Sequence, residues 1–160
     1  MTAPILTLPL ADPDATARLG RVIAPFLKAG DVLLLDGQIG AGKTHFSRAL
    51  IQYRLERLGM FEDVPSPTFT LVQVYEAEPE IWHSDLYRLS HPDDVLELGL
   101  EEAFHDAICL VEWPDRLGDL VPHAALHLAF SLTEDGAARQ VVFSGDETWA
   151  RRLPDMLEGL

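Results

Sequence analysis

The chain has 160 residues, 12 basic and 26 acidic, for a formal net charge of −14 at neutral pH. That length fits one domain over residues 1–160, and 48% hydrophobic content is enough for an ordinary core. The charge excludes a protein that grips nucleic acid or an anionic membrane unaided, and the lone Cys109 excludes an internal disulfide or a cysteine-based zinc cluster.

In chain order, Met1–Asp12 has no basic residue ahead of its apolar stretch and is interrupted by Pro4 and Pro9, a poor secretory signal. Asp12-Pro13 opens a helix that runs toward Gly30: Asp12 is a cap, Pro13 suits the first helical position, and Pro25 is an irregularity that invites a kink. Its apolar stripe is Leu19, Val22, Ile23, Phe26 and Leu27. Asp31–Asp36 (DVLLLD) reads as a strand buried on both faces, followed by a glycine loop and a helix over 43–58.

Thr68–Glu76 reads as a strand from its β-branched and aromatic content, and Ile81–Leu86 as another. Pro92–Phe104 is helical in tendency and broken by Gly99. Ala107–Trp113 (AICLVEW) is a second strongly apolar strand. Residues 124–133 and 140–144 read as late strands around the turn EDGA, and 146–157 as a closing helix. This alternation predicts a three-layer α/β domain with a mixed, partly parallel sheet. No apolar run approaches membrane-spanning length, and a cytosolic, reducing compartment is the expected setting.

Gly37-Gln38-Ile39-Gly40-Ala41-Gly42-Lys43-Thr44 matches G-x-x-x-x-G-K-[ST]. The glycines let successive backbone N–H groups turn toward a phosphate chain, and the positive end of the next helix adds to that field. Lys43 reaches the β- and γ-phosphates, and the Thr44 hydroxyl ligates Mg²⁺. The loop therefore predicts binding of ATP or ADP.

Phosphoryl chemistry also needs a carboxylate near the metal and a group that orients the nucleophile. Glu112, at the tip of the apolar run, and Asp85, between apolar residues at a strand end, are the candidates. Arg88, in a very acidic stretch, either stabilises phosphate charge or pairs with a neighbouring acid. Ser66-Pro67-Thr68 is a rigid turn whose two hydroxyls suit a γ-phosphate sensor or a plain turn. His83 shares a strand face with Asp85, which offers a metal pair or ordinary packing. His123 and His127, beside Pro122 in a β-rich context, are a poor helical metal site. Cys109 is expected to be a buried, inert thiol, and Trp82 and Trp113 to be packing groups.

With the loop, SPTFTLV (66–72), DLYRL (85–89), ELGLEEAF (97–104) and CLVEWPDRL (109–117) in this order, the chain resembles the TsaE family, also called YjeE. The resemblance runs from about Thr16 to Leu117. It implies a small bacterial Mg²⁺-dependent P-loop ATPase needed for threonylcarbamoyladenosine on tRNA. TsaB and TsaD would be its protein partners, tRNA would be met only indirectly, and neither DNA nor a membrane would be bound. By resemblance, Gly37 to Thr44 hold the phosphates, Thr44 and Glu112 hold Mg²⁺, and Lys43, Asp85 and Glu112 carry hydrolysis. Thr16 lies near the nucleotide, and Ser66, Thr68 and Arg88 belong to switch-like segments. The family commonly has Asp where this chain has Gln38, which removes a carboxylate but not the cradle.

Two rival readings remain: a small-molecule P-loop kinase and a nucleotide-dependent scaffold without turnover. Glu76–Asp119 holds 13 acidic residues against Arg88 and Arg116, a poor place for the arginine-rich lid of a kinase.

Overall fold

The computed structural model describes residues 3–160; Met1 and Thr2, part of the segment read as a poor signal, lie outside the described residues. One seven-stranded sheet runs through the molecule. Its strands are β1 (Ala3–Leu10), β2 (Val32–Asp36), β3 (Val72–Tyr75), β4 (Ile81–Asp85), β5 (Ile108–Glu112), β6 (Leu126–Leu132) and β7 (Arg139–Gly145), in the order β1-β7-β6-β2-β5-β4-β3. The central pairs β2–β5, β2–β6 and β4–β5 are parallel, and the outer pairs are antiparallel. The sheet is therefore mixed and partly parallel, as expected.

The apolar runs of β2 and β5 are buried on both faces because helices cover both. Leu33, Leu35, Ile108 and Leu110 enter one cluster with residues of α1 (Pro13–Ile23), α2 (Lys43–Glu56) and α5 (Glu147–Met156). Val32, Leu34, Cys109 and Val111 enter the other with α3 (Asp93–Glu97) and α4 (Leu100–Asp106). Gly99, at φ 80°, separates α3 from α4 at the expected break. Among the described residues no helix is long and apolar enough to cross a membrane.

The Asp12 carboxylate caps α1 by accepting the Ala15 N–H at 2.8 Å. The helix is shorter than expected: it ends at Ile23, and Pro25 sits in a single 3₁₀ turn over Ala24–Phe26. Gly20 lets α1 lie against α2, since a Cβ there would come within 2.6 Å of the Phe46 carbonyl oxygen.

Two elements depart from the sequence reading. Ala3–Leu10 is a strand, paired antiparallel with β7 and irregular between Pro4 and Leu6. It is the sheet edge, where proline costs no ladder hydrogen bond. The segment expected to be a strand over 68–76 is shorter, because Thr68–Leu71 forms a turn. The Leu71 N–H donates to the Pro67 carbonyl at 2.7 Å, and Leu71 has φ 68°.

Candidate functional site

The glycine loop joins the C-terminal end of β2 to the start of α2, which puts it at the mouth of the parallel part of the sheet. Gly37, Gly40 and Gly42 have φ of 144°, 84° and 108°. Gly37 is also sterically required, since a Cβ would meet the Phe130 carbonyl oxygen at 2.7 Å. The Gly40 side of the cradle is open, with no atom within 4 Å of a Cβ built there. Ala41 is buried behind the loop, whereas Gln38 and Ile39 are exposed. The Gln38 carbonyl accepts the Ala41 N–H at 3.1 Å, so its side chain takes no part in the turn.

Lys43 folds back over the loop. Its Nζ donates to the Gly37 carbonyl at 2.5 Å and stands 3.8 Å from the centroid of the Trp113 ring. Burial pulls the ammonium below the usual lysine range, and Glu112, Asp85, Asp36 and Asp115 oppose that shift. Its direct contacts among the described residues are that carbonyl and that aromatic face, with the four carboxylates acting on it from further off.

The Thr44 hydroxyl, in the first turn of α2, lies 3.0 and 3.1 Å from the two oxygens of Glu112 and donates to that carboxylate. Glu112 ends β5. Directly across the parallel pair, in register, stands Asp85 at the end of β4. Both carboxylates are buried, with relative exposures of 2% and 4%. Asp85 is held by the Tyr87 N–H at 3.0 Å and by the Thr68 hydroxyl at 3.1 Å. The Ser66 and Thr68 hydroxyls are 2.7 Å apart. The turn at Ser66–Thr68 thus closes on Asp85, which brings the two hydroxyls to the carboxylate pair.

These groups line one cleft of about 390 Å³, in which Gly40, Gly42, Lys43, Thr44, Ser66, Thr68, Asp85 and Glu112 meet. Thr16 is not in it. Buried on α1, it stands behind Gly42, its Cγ2 lying 3.4 Å from where a Gly42 Cβ would be. It lines a second recess of about 230 Å³ that shares Gly40, Gly42 and His45 with the first. Arg88 is not among the residues that line the cleft; its guanidinium lies 5.1 Å from the centroid of the exposed Phe69 ring, and no ion pair with an acid is found for it among the described residues.

Two contacts of the cleft escaped the sequence reading. Trp113 is half-buried and packs against the core as expected, yet it also lines the cleft; its place next to Glu112 at a strand end was the available signal. Arg139, from the start of β7, donates to the Gly40 carbonyl at 3.0 and 3.3 Å and braces the loop tip. His83 is fully buried and lies 2.7 Å from Glu112, so it packs beneath the carboxylates, the packing alternative of the sequence reading. His127 sits on β6, not on a helix, and pairs with Asp36.

The hydroxyl of Thr44 and the carboxylates of Glu112 and Asp85 are hard oxygen donors that suit Mg²⁺ better than a soft metal. Mg²⁺ commonly takes one or two protein carboxylates and completes its shell with water and substrate phosphates.

Residues 10–141 match the family model described as threonylcarbamoyl adenosine biosynthesis protein TsaE. A protein named tRNA threonylcarbamoyladenosine biosynthesis protein TsaE from Rickettsia conorii is 41% identical over 68% of this chain and 61% of its own length. Proteins of the same name from Bacillus subtilis and Treponema pallidum are 36% and 34% identical, over 83% and 76% of this chain and 81% and 87% of theirs. The chain thus spans a little under two thirds of the Rickettsia conorii relative. The crystal structure of Bacillus subtilis YdiB superposes with a TM-score of 0.79 at 28% identity, covering 99% of this chain and 97% of that one.

Proposed function

The chain belongs to the TsaE family, and on that premise we propose that residues 1–160 form one ATPase domain serving the synthesis of threonylcarbamoyladenosine on tRNA. The observation that carries the reading is the meeting of Lys43, Thr44, Asp85 and Glu112 in one cleft at the head of α2.

In this reading the loop from Gly37 to Thr44 takes the phosphates of ATP, its backbone N–H groups and the positive end of α2 supplying the field. Lys43 exchanges the Gly37 carbonyl and the Trp113 face for β- and γ-phosphate oxygens, a stronger, charge-assisted contact. Thr44 and Glu112 hold Mg²⁺, which when bound supplies positive charge against the phosphate oxygens. Asp85 orients the attacking water or the metal's water shell. Ser66 and Thr68, tied to Asp85, report whether a γ-phosphate is present. The second recess, with Thr16 and Arg139 on its walls, takes the ribose and base.

Slow turnover alone and faster turnover with protein partners of the TsaB and TsaD type are the behaviour this reading expects of so small a domain. The −14 net charge favours contact with tRNA through those partners rather than directly. A small-molecule kinase is disfavoured by the 13 acidic residues of Glu76–Asp119 against Arg88 and Arg116. A scaffold that only exchanges ATP for ADP is the second reading, because binding and hydrolysis share one loop.

The test is phosphate release from ATP by the purified protein alone, with its partner proteins, and with a panel of small metabolites. Slow release that rises with the partners supports the proposal. Rapid phosphorylation of a metabolite supports the kinase, and binding without release in every mixture supports the scaffold.

A further inference from the structure

Residues Ile81, His83 and Asp85 alternate onto the face of β4 that looks toward α2, as Ile108, Leu110 and Glu112 do on the adjacent β5. Asp85 stands level with Glu112, so His83 sits one pleat deeper, diagonally beneath the Glu112 side chain. Its ring is fully buried, with Nε2 2.7 Å from Glu112 Oε2. Its other nitrogen, Nδ1, is also buried and finds no partner among the described residues. A neutral imidazole carries one N–H. At Nδ1 that hydrogen would be buried without an acceptor, whereas at Nε2 it meets a carboxylate, so the ring donates from Nε2 to Glu112.

The Thr44 hydroxyl lies almost equally far from both oxygens of Glu112 and does not by itself select one orientation of the carboxylate. His83 does, because it engages Oε2 alone.

We propose that His83 is a positioning residue that holds Glu112 in the orientation needed to bind Mg²⁺ with Thr44. The inference rests on the ATPase reading above, in which Glu112 is a metal ligand. It assigns no proton transfer to the ring. A partner that orients a ligating side chain commonly sets metal affinity by 10- to 100-fold. A histidine that merely filled space would leave the metal dependence alone.

The experiment is ADP binding measured by calorimetry, first with a chelator and then across a series of Mg²⁺ concentrations, for the unaltered protein, His83→Leu, His83→Gln and His83→Asn. Thermal unfolding is recorded for each. Glutamine can place an N–H where the histidine Nε2 stood, whereas asparagine is too short and leucine has no donor. The expected result is an unchanged affinity in chelator, a half-saturating Mg²⁺ raised about 10- to 100-fold in His83→Leu and His83→Asn, and recovery in His83→Gln. If His83→Leu fails to fold, the comparison of Gln with Asn decides. Equal Mg²⁺ dependence in all folded forms, or an equal shift in Gln and Asn, overturns the positioning role. ADP binding indifferent to Mg²⁺ in the unaltered protein also overturns it and leaves the nucleotide site standing. No nucleotide binding at all overturns the ATPase reading, and this inference falls with it.

Discussion

Thr44 and Glu112 are 68 residues apart in the chain, yet the hydroxyl of one lies 3.0 and 3.1 Å from the two carboxylate oxygens of the other. The contact joins the first turn of α2 to the tip of β5, the two places where a phosphate loop and a metal-directing carboxylate must meet. It exists because β2 and β5 are parallel neighbours, with Leu35 level with Glu112. The short loop after β2 then returns α2 over the same strand ends.

Lys43→Ala removes the one lysine of the phosphate loop. Charge-assisted hydrogen bonds contribute about 1.5–3 kcal/mol, so ADP affinity should fall roughly 10- to 100-fold. Undiminished affinity by calorimetry refutes the site.

The pH dependence of the unaltered protein has a defined sign. Burial holds the Lys43 ammonium below the ordinary lysine value of 10.5. The charge is therefore lost earlier as pH rises, and ADP affinity should begin to decline below the pH at which an exposed lysine would titrate. The chain has only two lysines, Lys28 and Lys43, so reductive ¹³C-methylation and NMR can follow them separately. Lys43 should titrate below the ordinary lysine value and shift on ADP addition; titration at or above that value is the contrary result.

Glu112→Gln and Asp85→Asn keep side-chain volume and remove charge. Both should lower the rate of ATP hydrolysis about 100-fold or more while ADP binding in chelator stays near that of the unaltered protein. Turnover equal to the unaltered protein in both variants removes the two carboxylates from the chemistry.

Gly20→Ala tests the contact between α1 and α2. A Cβ at Gly20 would lie 2.6 Å from the Phe46 carbonyl and 3.2 Å from the Leu50 nitrogen, both backbone atoms of α2. Overpacking of this kind costs about 1–3 kcal/mol, against the modest gain alanine brings to a helix elsewhere. Thermal unfolding should show a Tm several degrees lower, and an unchanged or raised Tm contradicts the packing.

Cys109 is fully buried on β5, and burial pushes its thiol up to about 12 from 9.0. Above pH 9 the unfolded chain releases a proton that the folded protein keeps, so this group's contribution to stability should fall as pH rises from 9 toward 12. A thiol reagent such as DTNB should react slowly with the native protein and rapidly in urea; fast native labelling contradicts the burial.

The parts of the site that sequence carries openly are those constrained by chemistry. A phosphate cradle needs its glycines, lysine and hydroxyl at fixed spacing, and a carboxylate that closes a wholly apolar strand stands out, so Gly37 to Thr44 and Glu112 could be read directly. The parallel core was legible for a similar reason, since DVLLLD and AICLVEW are buried on both faces. The edge strand β1 was not, because Pro4 and Pro9 argue against a central strand and are tolerated only at an edge. Arg139 reaches Gly40 only after the β6–β7 hairpin has folded beside β2, a contact between residues 99 positions apart. Strand parity placed His83 on the face of Asp85, but parity cannot tell that its ring slides under Glu112 instead of facing the cleft. Trp113 follows Glu112 with φ 59°, a backbone turn that swings its ring back over Lys43.

The proposed role of ATP turnover at this loop is tRNA modification. It is tested most directly by the threonylcarbamoyladenosine content of tRNA, by mass spectrometry of nucleosides, in source cells whose only copy of this protein is unaltered, Lys43→Ala or Glu112→Gln at matched abundance. A normal level is expected with the unaltered protein and a marked loss with both variants. A normal level with Lys43→Ala and Glu112→Gln would overturn that role.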